Sequence, residues 1–310
     1  MSTATPAAQA YPTYADALHA LVEADERVLV VTAENRGNIR KLPPILGDRF
    51  LDVGICEQTM IGMGAGLALR GRVPVMHALA TFLVFRPYEF IRDDLGIPCL
   101  PGKLVGAVPG VLSDANGPTH QALEDVALMR GIPNMHVFCP ADGEDLALGL
   151  PHVVGSPNPT YIRHNERPAP VRHAPFELGR AEVVLEGEDI GILVYGALFT
   201  EALEAARLLA AQGRSVRLVN MRMLKPVDAD AIEATVRRCG LVVTIEDAFK
   251  VGGLHTILAE TCLARGVLPR RTLAIAFDER WFTPALLPAV LEVEGLTAPR
   301  LAERIAAALA

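Results

Sequence analysis

Three stretches of the chain carry side chains suited to chemistry. In Leu51-Asp-Val-Gly-Ile-Cys-Glu57-Gln-Thr-Met60 a strand-like run meets Gly54 and turns into an apolar helix with Glu57 in its first turn. A carboxylate there complements the positive end of the helix by about 0.3–1 kcal/mol. Shielded from water, the same group is suited to sharing a proton with a bound base. Further on, Ala80-Thr-Phe82-Leu-Val-Phe85-Arg-Pro-Tyr88 sets aromatics at i, i+3 and i+6 in a chain that is only 5% aromatic. On a helix that spacing gives one face, which by itself reads as a core stripe. Asn116-Gly-Pro-Thr-His120-Gln reads as a turn followed by a helix entry, with Thr119 as N-cap and Asn116 and His120 as polar groups on either side.

The elements that must position these residues follow from periodicity. Short β-branched runs alternate with longer helical patterns, the sign of a mostly parallel sheet covered by helices on both faces. The pattern predicts two successive three-layer α/β domains, residues 1–174 and 175–310. In the first, strands are expected at Val28–Val31, Val73–Ala78, Lys103–Val108, Met135–Phe138 and Thr160–Arg163, and helices at Tyr14–Glu23, Glu57–Leu69, Phe85–Asp94 and Ala122–Arg130. In the second, strands are expected at Ile190–Tyr195, Val216–Asn220 and Leu241–Glu246, and helices at Thr200–Gln212, Ala229–Arg238, Leu254–Ala264 and Thr297–Leu309. Between them a Pro-, Arg- and His-rich stretch without apolar periodicity reads as a linker, with the boundary near Ala174.

Composition removes several classes. The 310 residues are long enough to bury two cores, and 51% hydrophobic against 21% charged residues describes a globular chain. Twenty-nine Lys+Arg against 36 Asp+Glu leave a net charge of −7, and no basic run is interleaved with aromatics, so a nucleic-acid footprint is not expected. The five cysteines form no C-x-x-C pair, which suits a reducing cytoplasm. The apolar run Val73–Phe85 is closed by Arg72 and Arg86, short of the roughly 18–20 residues of a spanning helix. The N-terminal stretch has neither the basic nor the apolar region of a signal peptide and reads as a frayed arm. There is no G-x-x-x-x-G-K-[ST] loop, no G-x-S-x-G elbow and no H-E-x-x-H helix. Gly62, Gly64 and Gly66 lie inside a helical pattern and are expected to serve close packing against a neighbouring helix or chain.

In this order the three stretches resemble the middle and C-terminal parts of the transketolases, enzymes that use thiamin diphosphate. The matching pieces are D-V-G-I-C-E-Q, A-T-F-L-V-F-R-P-Y and N-G-P-T-H-Q, followed by I-P-N-M-H-V-F-C-P-A-D and P-T-Y-I-R. The resemblance implies that Glu57 hydrogen-bonds a pyrimidine nitrogen of thiamin diphosphate and so promotes the imino form that deprotonates the thiazolium carbon. It implies that Phe82, Phe85 and Tyr88 enclose the aminopyrimidine, with Glu34 and Ile55 also on the cofactor, His120 as a second catalytic group, and Asn116, His120 and Arg163 on the substrate side. The family's diphosphate and metal site belongs to an N-terminal domain with no counterpart ahead of Glu57. A companion subunit is therefore expected to supply the diphosphate and Mg²⁺ ligands, in an α2β2 heterotetramer.

The sequence also departs from the family. Asn116 stands where transketolases carry aspartate, Val108 where a histidine is expected, and Glu34 where aspartate is usual, while no arginine stands near Tyr11–Tyr14. These losses predict transfer of a two-carbon ketol unit with a donor or acceptor other than the ordinary pentose phosphates. The alternatives are the beta subunit of a 2-oxoacid dehydrogenase, a 1-deoxyxylulose-phosphate synthase-like enzyme, or a scaffold without catalysis. His77 is open between a satisfied core residue and one that faces the site.

Overall fold

Strand β1 (Val28–Thr32) is buried at every residue, which is what a parallel strand covered on both faces requires. The computed structural model describes residues 11–309; the expected N-terminal arm lies mostly outside them. Around β1 a seven-stranded sheet is built from β2 (Phe50–Asp52), β3 (Val73–Leu79), β4 (Lys103–Ala107), β5 (His136–Phe138), β6 (Thr160–Arg163) and β10 (Met223–Lys225), in the order β10-β5-β6-β4-β3-β1-β2. All neighbours are parallel except β10 and β5. A second sheet of order β12-β11-β8-β9-β7 joins β7 (Glu182–Leu185), β8 (Ile190–Val194), β9 (Val216–Asn220), β11 (Leu241–Phe249) and β12 (Thr272–Phe277). Only β7 runs antiparallel there. No helix or strand lies between β6 and β7.

The two-domain α/β architecture thus follows the sequence pattern, and its departures have local causes. The helix expected at Phe85–Asp94 instead begins at Ala80 and ends at Phe85. Pro87 has no N–H to continue it. Beyond the break come a short turn, Tyr88–Phe90, and a π-helical segment, Ile91–Gly96. The helix expected at Ala122–Arg130 spans Asp125–Gly131, and Thr119 does not cap it; its hydroxyl pairs with the neighbouring His120 ring, 3.0 Å away. The helix Gly143–Gly155 was not expected, because Pro151 and three glycines interrupt its pattern. Its cap was visible: the Asp142 carboxylate accepts from the N–H groups of Glu144 (2.9 Å) and Asp145 (3.0 Å). Strands β7, β10 and β12 also escaped the pattern. β10 has three residues, and β7 and β12 are edge strands with partly exposed faces.

Strand β10 belongs in sequence to the second half of the chain but pairs with β5 of the first sheet, so the two domains share a backbone ladder. A buried polar seam continues that contact. The Arg163 guanidinium, at the end of β6, donates through Nε to Asp125 (2.9 Å), through Nη1 to Asp247 of β11, and through Nη2 to the Asp247 carbonyl (3.1 Å). Nearby, His173 lies between Asp142 and Glu182, 2.7 Å from each. Arg222 meets Asp145 (2.8 Å) and Glu182 (3.1 Å). Burial pushes the His173 imidazole down, but hydrogen bonds to Asp142 and Glu182 outweigh it and raise the pKa to about 10.

Candidate active site

Chain order sets the place of the site. From β1 the chain goes to β2 on one side and then returns past β1 to β3 on the other, so the connections diverge between β1 and β3. Open parallel sheets bind ligands in the crevice outside the carboxyl ends of strands at such a switch point. Here the loop after β1 brings Ala33, Glu34 and Asn35, and the turn after β2 brings Ile55 and Glu57. The junction of β3 with the helix Ala80–Phe85 adds Leu79, Phe82 and Arg86. These eight residues line one pocket of about 140 Å³.

Glu57 begins the helix Glu57–Leu69, and only 3% of its surface is exposed. Its Oε1 accepts from the Arg86 guanidinium at 2.8 Å, while the guanidinium carbon lies 3.8 Å from the centroid of the Phe82 ring. The His120 ring meets that phenyl ring edge-on, at 5.0 Å and 67°. The His120 carbonyl accepts from the Thr81 hydroxyl at 2.7 Å, which ties the N-G-P-T-H loop to the helix carrying Phe82.

Glu34 holds a left-handed backbone, φ +69°, rare for a non-glycine residue and a mark of local strain. Asp52, at the end of β2, stabilises it by accepting from the N–H of Glu34 (3.1 Å), the N–H of Gly54 (2.9 Å) and the Arg36 Nε (2.9 Å). Partial burial pushes the Asp52 carboxyl up, but these donors outweigh it and hold it below the usual carboxylate range. Beside the pocket, Glu34, Asn35, Arg36, Gly37 and Arg40 line a wider polar basin of about 530 Å³. After β4, Val108 also lies at positive φ, +47°, an outlier for a β-branched side chain.

Four expected cofactor residues, Glu34, Ile55, Glu57 and Phe82, therefore share one pocket, and His120 touches its aromatic wall. Others lie outside that pocket's lining. The break at Pro87 removes the single helix face, so Phe85 turns outward, 39% exposed, and Tyr88 packs away with its hydroxyl donating to the Leu128 carbonyl at 3.3 Å. Phe82 is the one aromatic among the residues lining this pocket. Arg163 is 2% exposed with its guanidinium committed to the seam, so it contributes to domain docking and presents no donor at the surface. Asn116 is exposed and donates to the Ser113 carbonyl at 2.8 Å.

His77 is resolved as a core residue. Its Nδ1 lies 3.2 Å from the Val31 carbonyl, which can only accept, so Nε2 accepts from the Tyr14 hydroxyl at 2.7 Å. Burial pushes its pKa down to about 4 and keeps it neutral. Arg86 is the residue that sequence reasoning passed over. It stands inside the aromatic motif, four residues after Phe82, and that spacing on a helix was the available signal.

The pocket suits a flat heteroaromatic ring with a basic nitrogen. Phe82 offers a face, Ala33, Ile55 and Leu79 offer apolar walls, and Glu57 is the withdrawn acid. Among the described residues no group of three or more His, Cys, Asp or Glu is arranged to hold a metal.

Comparison with known proteins gives the family of the chain. Residues 9–170 match the transketolase pyrimidine binding domain and residues 179–301 the transketolase C-terminal domain, so the chain belongs to the transketolase family, whose members are thiamin diphosphate-dependent transferases. The chain is 35% identical over 298 residues to a 6-deoxy-6-sulfo-D-fructose transketolase subunit, SqwH, of Clostridium sp. (strain MSTE9), covering 93% of this chain and 91% of that protein. A solved structure described as a split gene transketolase, inactive beta4 tetramer, superposes with a TM-score of 0.86 at 32% identity, covering 96% of each chain. A 1-deoxy-D-xylulose-5-phosphate synthase of Gloeobacter violaceus is 33% identical over 301 residues, and this chain spans 47% of its length. In extent and similarity the chain corresponds to the pyrimidine-binding, C-terminal type of subunit of a split transketolase.

Proposed function

We propose that this chain supplies the pyrimidine-binding half of a two-component transketolase that transfers a ketol unit from a ketose to an aldehyde, its domains dividing near Ala174. The observation that carries this is Glu57, a buried carboxylate at the switch point whose pocket is walled by Phe82 and opens to solvent. Bound thiamin diphosphate would supply an electron sink for the migrating fragment. Glu57 would hold a proton against a ring nitrogen, Phe82 would fix the ring plane, and Ile55 and Leu79 would keep water out. His120, against Phe82, is the residue for a substrate oxygen, with Asn116 farther out on the same loop.

A companion subunit would bring the diphosphate and Mg²⁺ ligands, in an α2β2 assembly, working in a reducing cytoplasm. Supporting this, the helix Glu57–Leu69 keeps an apolar face uncovered beside the pocket. Gly62 and Gly66 have open space at their Cβ positions, and Ile55 and Leu69 are 66% and 71% exposed. That the comparison structure of a beta4 tetramer is described as inactive fits the same reading. The sulfo-sugar named for one relative suits a substrate other than a pentose phosphate, as does the single exposed amide, Asn116, on the substrate loop.

The test is calorimetric titration of thiamin diphosphate and Mg²⁺ into this chain alone and into its mixture with the companion. Binding only by the mixture is expected, and tight binding by the isolated chain would overturn the shared site. Pyruvate decarboxylation accompanying ketol formation would instead assign the 1-deoxyxylulose-phosphate synthase chemistry of the relative that is twice as long.

A further inference from the structure

Arg86 occupies both surfaces that the pocket would offer to a ring. Its planar guanidinium lies 3.8 Å from the centroid of the Phe82 ring and donates at 2.8 Å to Glu57. No other side chain among the described residues hydrogen-bonds to that carboxylate, and Arg86 itself helps line the pocket. A guanidinium has donors in its plane and no acceptor, so while it is there Oε1 of Glu57 is held as an acceptor. A ring with a basic nitrogen needs the same face of Phe82 and the same acid. Seated there, the guanidinium competes with such a ring for both.

The backbone of Arg86 is fixed while its side chain is free to leave. Its N–H reaches the Phe82 carbonyl at 3.3 Å, its carbonyl accepts from the Gln58 amide at 3.2 Å, and Pro87 follows. The side chain is 39% exposed, so rotation about its own bonds carries the guanidinium into water without moving the helix. Glu57, by contrast, is buried and would face the apolar walls without a partner if nothing stood beside it.

We propose that Arg86 is a placeholder: it keeps Glu57 paired and Phe82 covered until the aminopyrimidine enters, and it must swing out for the site to fill. This rests on the functional reading above. Where a binding-competent arrangement holds only a fraction of the population, the apparent Kd rises by the inverse of that fraction. If Arg86 is seated about nine-tenths of the time, its removal tightens binding about tenfold.

The experiment is calorimetric titration of thiamin diphosphate with Mg²⁺ into the assembled enzyme carrying wild-type chain, Arg86→Ala or Arg86→Lys. The placeholder predicts a Kd about tenfold lower for Arg86→Ala. It predicts an intermediate value for Arg86→Lys, whose ammonium pairs with Glu57 but does not stack as a plane. In ¹⁵N-arginine spectra of the wild-type assembly, the Arg86 Nε–H signal should move towards that of a solvated arginine as the cofactor is added. A Kd unchanged or weakened in Arg86→Ala, or an Arg86 signal unmoved by saturation, overturns the proposal. Failure of the wild-type assembly to bind thiamin diphosphate at all would overturn the functional reading and this proposal with it.

Discussion

Glu57 and Asp247 are both carboxylates withdrawn from water and both are met by an arginine, yet the two pairs are built differently. Arg163, the partner of Asp247, is 2% exposed, and it also bonds Asp125 and the Asp247 carbonyl. No part of it can leave without stranding two carboxylates. Arg86, the partner of Glu57, is 39% exposed, makes one ion pair, and lies beside a pocket open to solvent. An acid whose partner is locked in place ties elements together; an acid whose partner can be exchanged is available to a ligand. The seam of Arg163, Arg222 and His173 thus fixes the two sheets against each other, while the pocket at the β1/β3 divergence is left with something to exchange.

This contrast can be broken at either end. Glu57→Ala should lower turnover of the assembled enzyme by about 10²–10⁴ while gel filtration shows the complex intact, because a positioned proton-sharing group is lost and little packing with it. Unchanged turnover would remove Glu57 from the chemistry. Arg163→Met should have the opposite profile: about 3–5 kcal/mol lost in chemical denaturation, because Asp125 and Asp247 are left buried without their cation, and no tightening of cofactor binding. A mild effect would mean that the seam is plastic.

The seam should also show in the pH dependence of stability. His173 is raised from its ordinary range to about 10, so its contribution is fully present below about pH 6.5 and is lost as pH rises through about 10. The stability difference between wild type and His173→Gln, followed by thermal unfolding, should shrink across that window; a constant difference would show that the imidazolium is not the source. The smallest expected effect is on the exposed helix face. Gly62→Ala meets nothing within 4 Å. It should stabilise the isolated chain by about 0.5–1 kcal/mol through helix propensity, yet weaken assembly with the companion if that face is the docking surface. Gly64→Ala, whose Cβ would lie 2.4 Å from the Met76 sulfur, should instead destabilise the chain itself.

Local signals were strong wherever an element is long and periodic. Thr160–Arg163, Val216–Asn220, Glu57–Leu69 and Ala229–Arg238 agree residue for residue with their patterns. Of the three glycines expected to pack closely, only Gly64 does so within the chain, where an added Cβ would lie 2.4 Å from the Met76 sulfur; Gly62 and Gly66 face open space. Motif order singled out Glu57, Phe82, Ile55, Glu34 and His120, and the fold brings the first four to one pocket with His120 against Phe82. Phe82, Phe85 and Tyr88 do not share one helix face, because the i, i+3, i+6 spacing presumes an unbroken helix and Pro87 sits inside it. Arg163 misled because a conspicuous arginine at a strand end reads alike whether it meets a ligand or a buried aspartate far along the chain.

The sequence by itself determined the two α/β layers and the family, and it singled out one acid and one aromatic as candidates, because hydrophobic period, turn residues and ordered motifs are properties of neighbouring residues. Only the tertiary structure decided that β10 crosses into the first sheet, that Arg163 faces inward between Asp125 and Asp247, and that Arg86 reaches back onto Glu57 and Phe82. Most of those contacts join residues tens of positions apart, and even the near pair Phe82–Arg86 depends on where the helix breaks. Which charge answers which depends on the packing of whole sheets and on which side chains that packing shuts away from water.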